Sequence, residues 1–117
     1  MYEIAVNCTF NATHAVTVGG VGEELHDHDW YVVATVAGES LDEEGLLIDF
    51  LELQRLLNAA VAPLRNANLA EALSGENPSA ERVARFIGAR LDASLPSAAV
   101  SSICVTEAPG CIATWRP

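Results

Sequence analysis

His26-Asp27-His28-Asp29-Trp30-Tyr31-Val32-Val33-Ala34-Thr35-Val36 is the stretch that decides the fold. Its second half is apolar and β-branched, and residues 25–37 read as one long strand. A period of two sends His26 and His28 to the same face, about 6.5–7 Å apart along the chain, with Asp27 on the opposite face. Imidazoles at that spacing can converge on one ion with bonds near 2.0–2.1 Å. Upstream, residues 2–18 alternate through Ile4, Val6, Phe10, Val16 and Val18 and read as one strand or a bent pair. Gly19-Gly20-Val21-Gly22 is a flexible break between the two segments. His14 lies on the first of them and supplies a candidate third nitrogen. Three histidines with a fourth position open is the catalytic form of a zinc site. An isolated His-x-His is often only a pair of surface histidines; here all three histidines of the chain fall into one arrangement.

Downstream, Gly38 to Gly45 is an acidic turn and Leu46-Leu47-Ile48 a short apolar strand or strand end. Asp49, followed by Glu52, marks a helix start, with a carboxylate to cap free amides. Leu53, Leu56, Leu57, Ala60 and Val61 form its apolar stripe, and Pro63 ends it. Residues 64–76 form a polar connection. A second helix begins at Asn77-Pro78-Ser79, buries Val83, Phe86, Ile87, Arg90/Leu91 and Leu95, and stops at Pro96. Val100 to Thr106 alternates as a strand, Pro109-Gly110 turns, and Cys111 to Trp115 closes. The order is ββααββ in one domain spanning residues 1–117, an α+β layer with an antiparallel sheet and two helices on one face.

Composition narrows the function. Asp and Glu number 16 against six Arg and no Lys, for a formal charge of −10. Such a surface repels phosphate backbones, so nucleic acid is not an expected partner. Without lysine there is no Schiff base and no Walker-type phosphate lysine. No apolar run approaches the roughly 20 residues of a membrane span, and the basic region of a signal peptide is missing from Met1-Tyr2-Glu3-Ile4. Cys8, Cys104 and Cys111 are odd in number without a CxxC, which suits reduced thiols in a cytoplasmic protein. Half the residues are apolar, more than a chain this short can bury alone. Long strands left at a sheet edge need partners, so copies of the chain are expected to close on one another.

Five features in register then resemble one family: His14 after Phe10; His26-x-His28 leading a β-rich strand; Gly45-Leu46-Leu47-Ile48-Asp49-Phe50; Pro78-Ser79-Ala80-Glu81; and Val105-Thr106-Glu107. Together they resemble 6-pyruvoyltetrahydropterin synthase and its relative 6-carboxytetrahydropterin synthase over nearly the whole chain. The resemblance implies the tunnelling fold, in which subunits form trimeric barrels that stack into a homohexamer with active sites between subunits. It implies zinc on His14, His26 and His28, and a pterin-like ligand whose 2-amino and N3–H donors are anchored by Glu107. It also places Ser79 near that ligand, although capping the second helix explains a serine there equally well.

The departures concern the chemistry. Where the family has its catalytic cysteine, four residues before the His-x-His, this chain has Gly22. Where the family has an Asp-His pair, it has Arg65-Asn66, neither of which accepts a proton near neutral pH. The expectation is therefore a pterin-binding homologue with no catalytic residue of the synthase type. The alternative is an active zinc-dependent lyase in which Glu23 or Glu24 serves as base. A third reading, a purely structural ring, leaves Glu107 without a purpose.

Overall fold

The computed structural model describes residues 1–117. The two long strands are β1 (Tyr2–His14) and β4 (His26–Gly38). Between them, β2 (Thr17–Val18) and β3 (Val21–Gly22) form a small hairpin. The helices are α1 (Phe50–Val61), a single turn α2 (Leu69–Ala72) and α3 (Ala80–Ser94), followed by β5 (Ala99–Ala108) and β6 (Cys111–Trp115). The four long strands make one antiparallel sheet in the order β1-β4-β5-β6. Helices α1 and α3 pack on one face of it, which is the expected ββααββ layer with two small additions.

The bent-pair alternative for residues 2–18 is the one realised. Gly19 and Gly20 have φ of 59° and 81°, as a two-residue hairpin turn requires, so the glycine run is the turn of β2–β3. Leu46–Ile48 is not a strand. Asp42 staples the loop instead: its Oδ1 accepts from the Glu44 and Leu46 N–H groups, and its own N–H donates to Leu46 O. Leu47 then fills the space above Gly38. Residues 64–76 are less polar in effect than they read. A 3-10 turn at Ala62–Leu64 carries Pro63, and Asn68 caps α2, so Leu64 and Leu69 are both fully buried.

The helix ends follow their caps. Asp49 Oδ1 accepts from Leu51 N at 2.8 Å and Ser79 Oγ from Arg82 N at 3.2 Å. The α1 stripe is buried as expected. On α3 the buried set is Val83, Ala84, Ile87, Gly88 and Leu91; Phe86 is half-buried. Arg90 stays exposed, with its guanidinium over the Phe86 ring and donating to Ala59 and Ala60 carbonyls. These side chains meet Val6, Phe10, Trp30, Val32, Val36, Ile103 and Val105 from the sheet in one core.

The free edge of β1 is half covered. Gln54 Nε2, Arg65 Nη1 and Asn66 N donate to Asn7, Thr9 and Asn11 carbonyls, and Thr13 N donates to Ala67 O. Arg65 and Asn66, which stand where the resembled family has its Asp-His pair, here cap a strand. Asn66 does so at φ 55°, a conformation asparagine tolerates better than most residues. The Tyr2–Val6 half of β1 and the outer edge of β6 receive no such bonds. The radius of gyration is 15.0 Å, with a long axis of 53 Å, against about 13 Å for a compact chain of this size.

Helix α3 can approach β6 closely only because of Gly88, whose Cβ, if present, would lie 2.2 Å from Trp115 Cζ3. A Gly88→Ala change gains about 1 kcal/mol in helix propensity but must displace a rigid indole. The clash wins, and chemical denaturation should show a net loss of about 1–3 kcal/mol. A stabilised variant would show that α3 and β6 are not held at this distance.

Candidate metal centre and pocket

The β1–β4 register builds the centre. His14 pairs directly with His26, and Ala12 pairs with His28, so the three histidines form a triangle on the helix-facing side of the sheet. One ring nitrogen from each lies within 4.8 Å of the other two. His14 is the only buried polar side chain of the chain.

Each imidazole has its Nδ1 beside a backbone carbonyl: His14 with Pro78 O at 3.0 Å, His26 with Glu24 O at 2.9 Å, His28 with Asp29 O at 2.9 Å. A carbonyl only accepts, so Nδ1 is the donor to it and Nε2 is the nitrogen left to ligate a metal. This is the outer-shell arrangement that orients metal-binding histidines. The Nε2 atoms of His14 and His28 stand 3.3 Å apart. Two ligands at about 2.0–2.1 Å from a tetrahedral zinc are separated by about 3.3 Å. A cation between the two nitrogens would match this separation, and the donor set fits zinc.

Two carboxylates complete the cluster. Glu107 Oε1 is 3.0 Å from His14 Nε2, and Glu23 Oε1 is 3.9 Å from it and 4.0 Å from His26 Nδ1. Glu107 occupies a β-bulge: the β5–β6 register passes from Thr106↔Ile112 to Ala108↔Cys111 and leaves it unpaired. Alternation from the buried Ile103 and Val105 sets Glu107 on the side of the sheet that carries the histidines, and the bulge leaves it free of a cross-strand partner. Glu23 is returned to the site by the β2–β3 hairpin, where its carboxylate accepts from Val16 N at 2.8 Å. Glu24 gives the site only its backbone carbonyl. A Cβ at Gly22 would meet only Thr17 Oγ1, at 4.0 Å.

The segment Asn77-Pro78-Ser79 serves three purposes at once. The Asn77 amide pairs with both N–H and C=O of Thr17 and so ties the hairpin to α3. Pro78 O orients His14, and the Ser79 oxygen caps α3. A hollow of about 590 Å³ opens beside the cluster, lined by Glu23, His26, His28, Glu107, Thr9 and Tyr31 among others; Ser79 is not among its lining residues. No thiol replaces the cysteine missing at Gly22. Burial pushes the Cys8 thiol up, against a smaller opposing effect of Arg65, and neither Cys104 nor Cys111 lines the hollow.

Sequence pattern indicated the histidines and Glu107 and left Glu23 and Glu24 as a pair. It did not indicate the Pro78 carbonyl, since backbone acceptors carry no residue signature.

Residues 3–117 match the family model described as 6-pyruvoyl tetrahydropterin synthase. Dihydroneopterin monophosphate aldolase of Pyrococcus furiosus is 33% identical over 93 residues, covering 80% of this chain and 77% of that protein. The 6-pyruvoyl tetrahydropterin synthase of Caenorhabditis elegans shares the fold at a TM-score of 0.83 and 18% identity, over 99% of this chain and 95% of that one. A Plasmodium vivax 6-pyruvoyltetrahydropterin synthase with a catalytic glutamate replaced by alanine matches at a TM-score of 0.81 and 17% identity, over 99% and 97% of the two chains. A family match over nearly the whole length leaves one conclusion: the chain belongs to the 6-pyruvoyl tetrahydropterin synthase family.

Proposed function

We propose that the chain binds a reduced-pterin-type heterocycle beside a zinc ion held by His14, His26 and His28, and that Glu23 acts as acid and base in cleaving the ligand's side chain. The carrying observation is the meeting of three histidines, Glu23 and Glu107 within hydrogen-bond or near-contact distance. A pterin presents adjacent N–H donors, and an ionised carboxylate accepts two in parallel; Glu107 is the carboxylate placed for that. Zinc, when bound, supplies Lewis acidity toward side-chain oxygens of the substrate. Glu23, beside the same histidines, then takes the proton of a side-chain hydroxyl as the neighbouring carbon–carbon bond breaks. It returns that proton to the carbon left on the ring. Glutamate in a catalytic role has a precedent on this fold in the Plasmodium vivax protein, and an aldol-type cleavage fits the name of the Pyrococcus furiosus relative.

A second reading is binding without turnover. Gly22, Arg65 and Asn66 supply no proton acceptor, and Val16 N occupies part of the Glu23 carboxylate. The two readings separate in one set of assays with dihydroneopterin phosphates. On the first, the wild type turns over, Glu23→Ala loses about 10²–10⁴ in rate, and Glu24→Ala does not. Turnover unaffected by Glu23→Ala contradicts the proposed base. On both, Glu107→Gln should weaken pterin binding in calorimetry by about 2–4 kcal/mol, because an NH₂ donor then faces a ligand donor. Equal affinities would remove Glu107 from the pocket.

We also propose that subunits close on one another through the uncovered edges, the Tyr2–Val6 half of β1 and the outer side of β6, as a dimer of trimers. Six chains of 12.4 kDa give about 75 kDa by light scattering; a monodisperse monomer would contradict the assembly.

A further inference from the structure

Trp30 is fully buried, and its indole N–H has no hydrogen-bond partner. An orphaned buried donor carries a desolvation cost, and such a group calls for a reason. Core packing alone does not supply one. Phe10, its cross-strand partner, stacks on it with planes 4° apart and centroids 6.2 Å apart, so the core already accepts a phenyl ring in this layer.

The indole also reaches two of the three histidines. Its centroid is 4.6 Å from that of His28, with planes 27° apart, and 4.8 Å from that of His14, at 78°. His14 is pinned by burial and by Pro78 O. His28 is only part-buried, and its Nδ1 bond to Asp29 O leaves the ring plane to be set by whatever lies against its face. Trp30 lies there.

From this we infer that Trp30 is a positioning residue for the metal-binding histidines, holding the His28 ring plane and backing the His14 ring. The inference rests on the reading of these histidines as metal ligands. An imidazole bound to a divalent cation becomes electron-poor, and the negative face of an indole attracts such a ring. The stack is therefore stronger in the loaded centre than in the free one. This difference separates the role from ordinary core packing, which would stabilise both states alike.

Cobalt(II) is the probe, since its visible absorption reports coordination geometry independently of any activity. It is titrated into the wild type, Trp30→Leu, Trp30→Phe and Trp115→Phe, with folding checked by circular dichroism. The wild type and Trp115→Phe should bind alike. Trp30→Leu should bind roughly 10–100-fold more weakly, the range typical of lost outer-shell partners, with an altered band shape, and Trp30→Phe should fall between. Should Trp30→Leu fail to fold, Trp30→Phe decides. Wild-type affinity and band shape in the folded Trp30 variants would overturn the positioning role while leaving the metal reading intact. A wild type that takes up no cobalt would overturn the metal reading, and this inference with it.

Discussion

The register of β1 against β4 is the constraint on which the rest depends. It places His14 opposite His26 and, one diagonal step away, His28. Because side chains alternate strictly along a strand, a slip of one residue would send one partner's histidines to the opposite face. The same slip would expose Phe10 or Trp30, so the core enforces the register that the site needs. Burial of Phe10, Ala12, Trp30 and Val32 on one face thus stabilises the fold and aligns the ligands in a single choice.

Around that pair of strands, backbone groups do much of the positioning. Three carbonyls, from Pro78, Glu24 and Asp29, hold the three imidazoles through Nδ1. A hairpin brings Glu23 back, and the alternation of β5 points Glu107 in. The site is consequently rich in lone pairs and carboxylate charge and holds no cation of its own. Five of the six arginines are engaged elsewhere: Arg55 pairs with Glu52, Arg82 and Arg85 with Glu76, Arg65 caps β1, and Arg90 covers Phe86. A divalent cation would complement this arrangement.

Much of this was legible in the sequence wherever a side-chain period or a cap carried the information. The two long strands, α1 with Asp49, α3 with Ser79, and the His-x-His face follow from alternation, helical stripes and capping chemistry. The misread parts lacked such signals. Leu46–Ile48 looks apolar enough for a strand, yet Asp42 captures its backbone. The α2 turn is too short to show a period. For Arg65 and Asn66, only the fold reveals that they cover a strand edge. Glu23 and Glu24 are equivalent as letters; the hairpin turns one side chain into the site and leaves the other outside it.

The central claim is that His14, His26 and His28 hold one zinc ion through nitrogen. X-ray absorption at the zinc edge, on protein loaded with one equivalent, tests it most directly. The account predicts three imidazole nitrogens at about 2.0–2.1 Å with the outer-ring scattering of histidine, and one or two further light ligands. A shell of oxygen donors without imidazole scattering would contradict it.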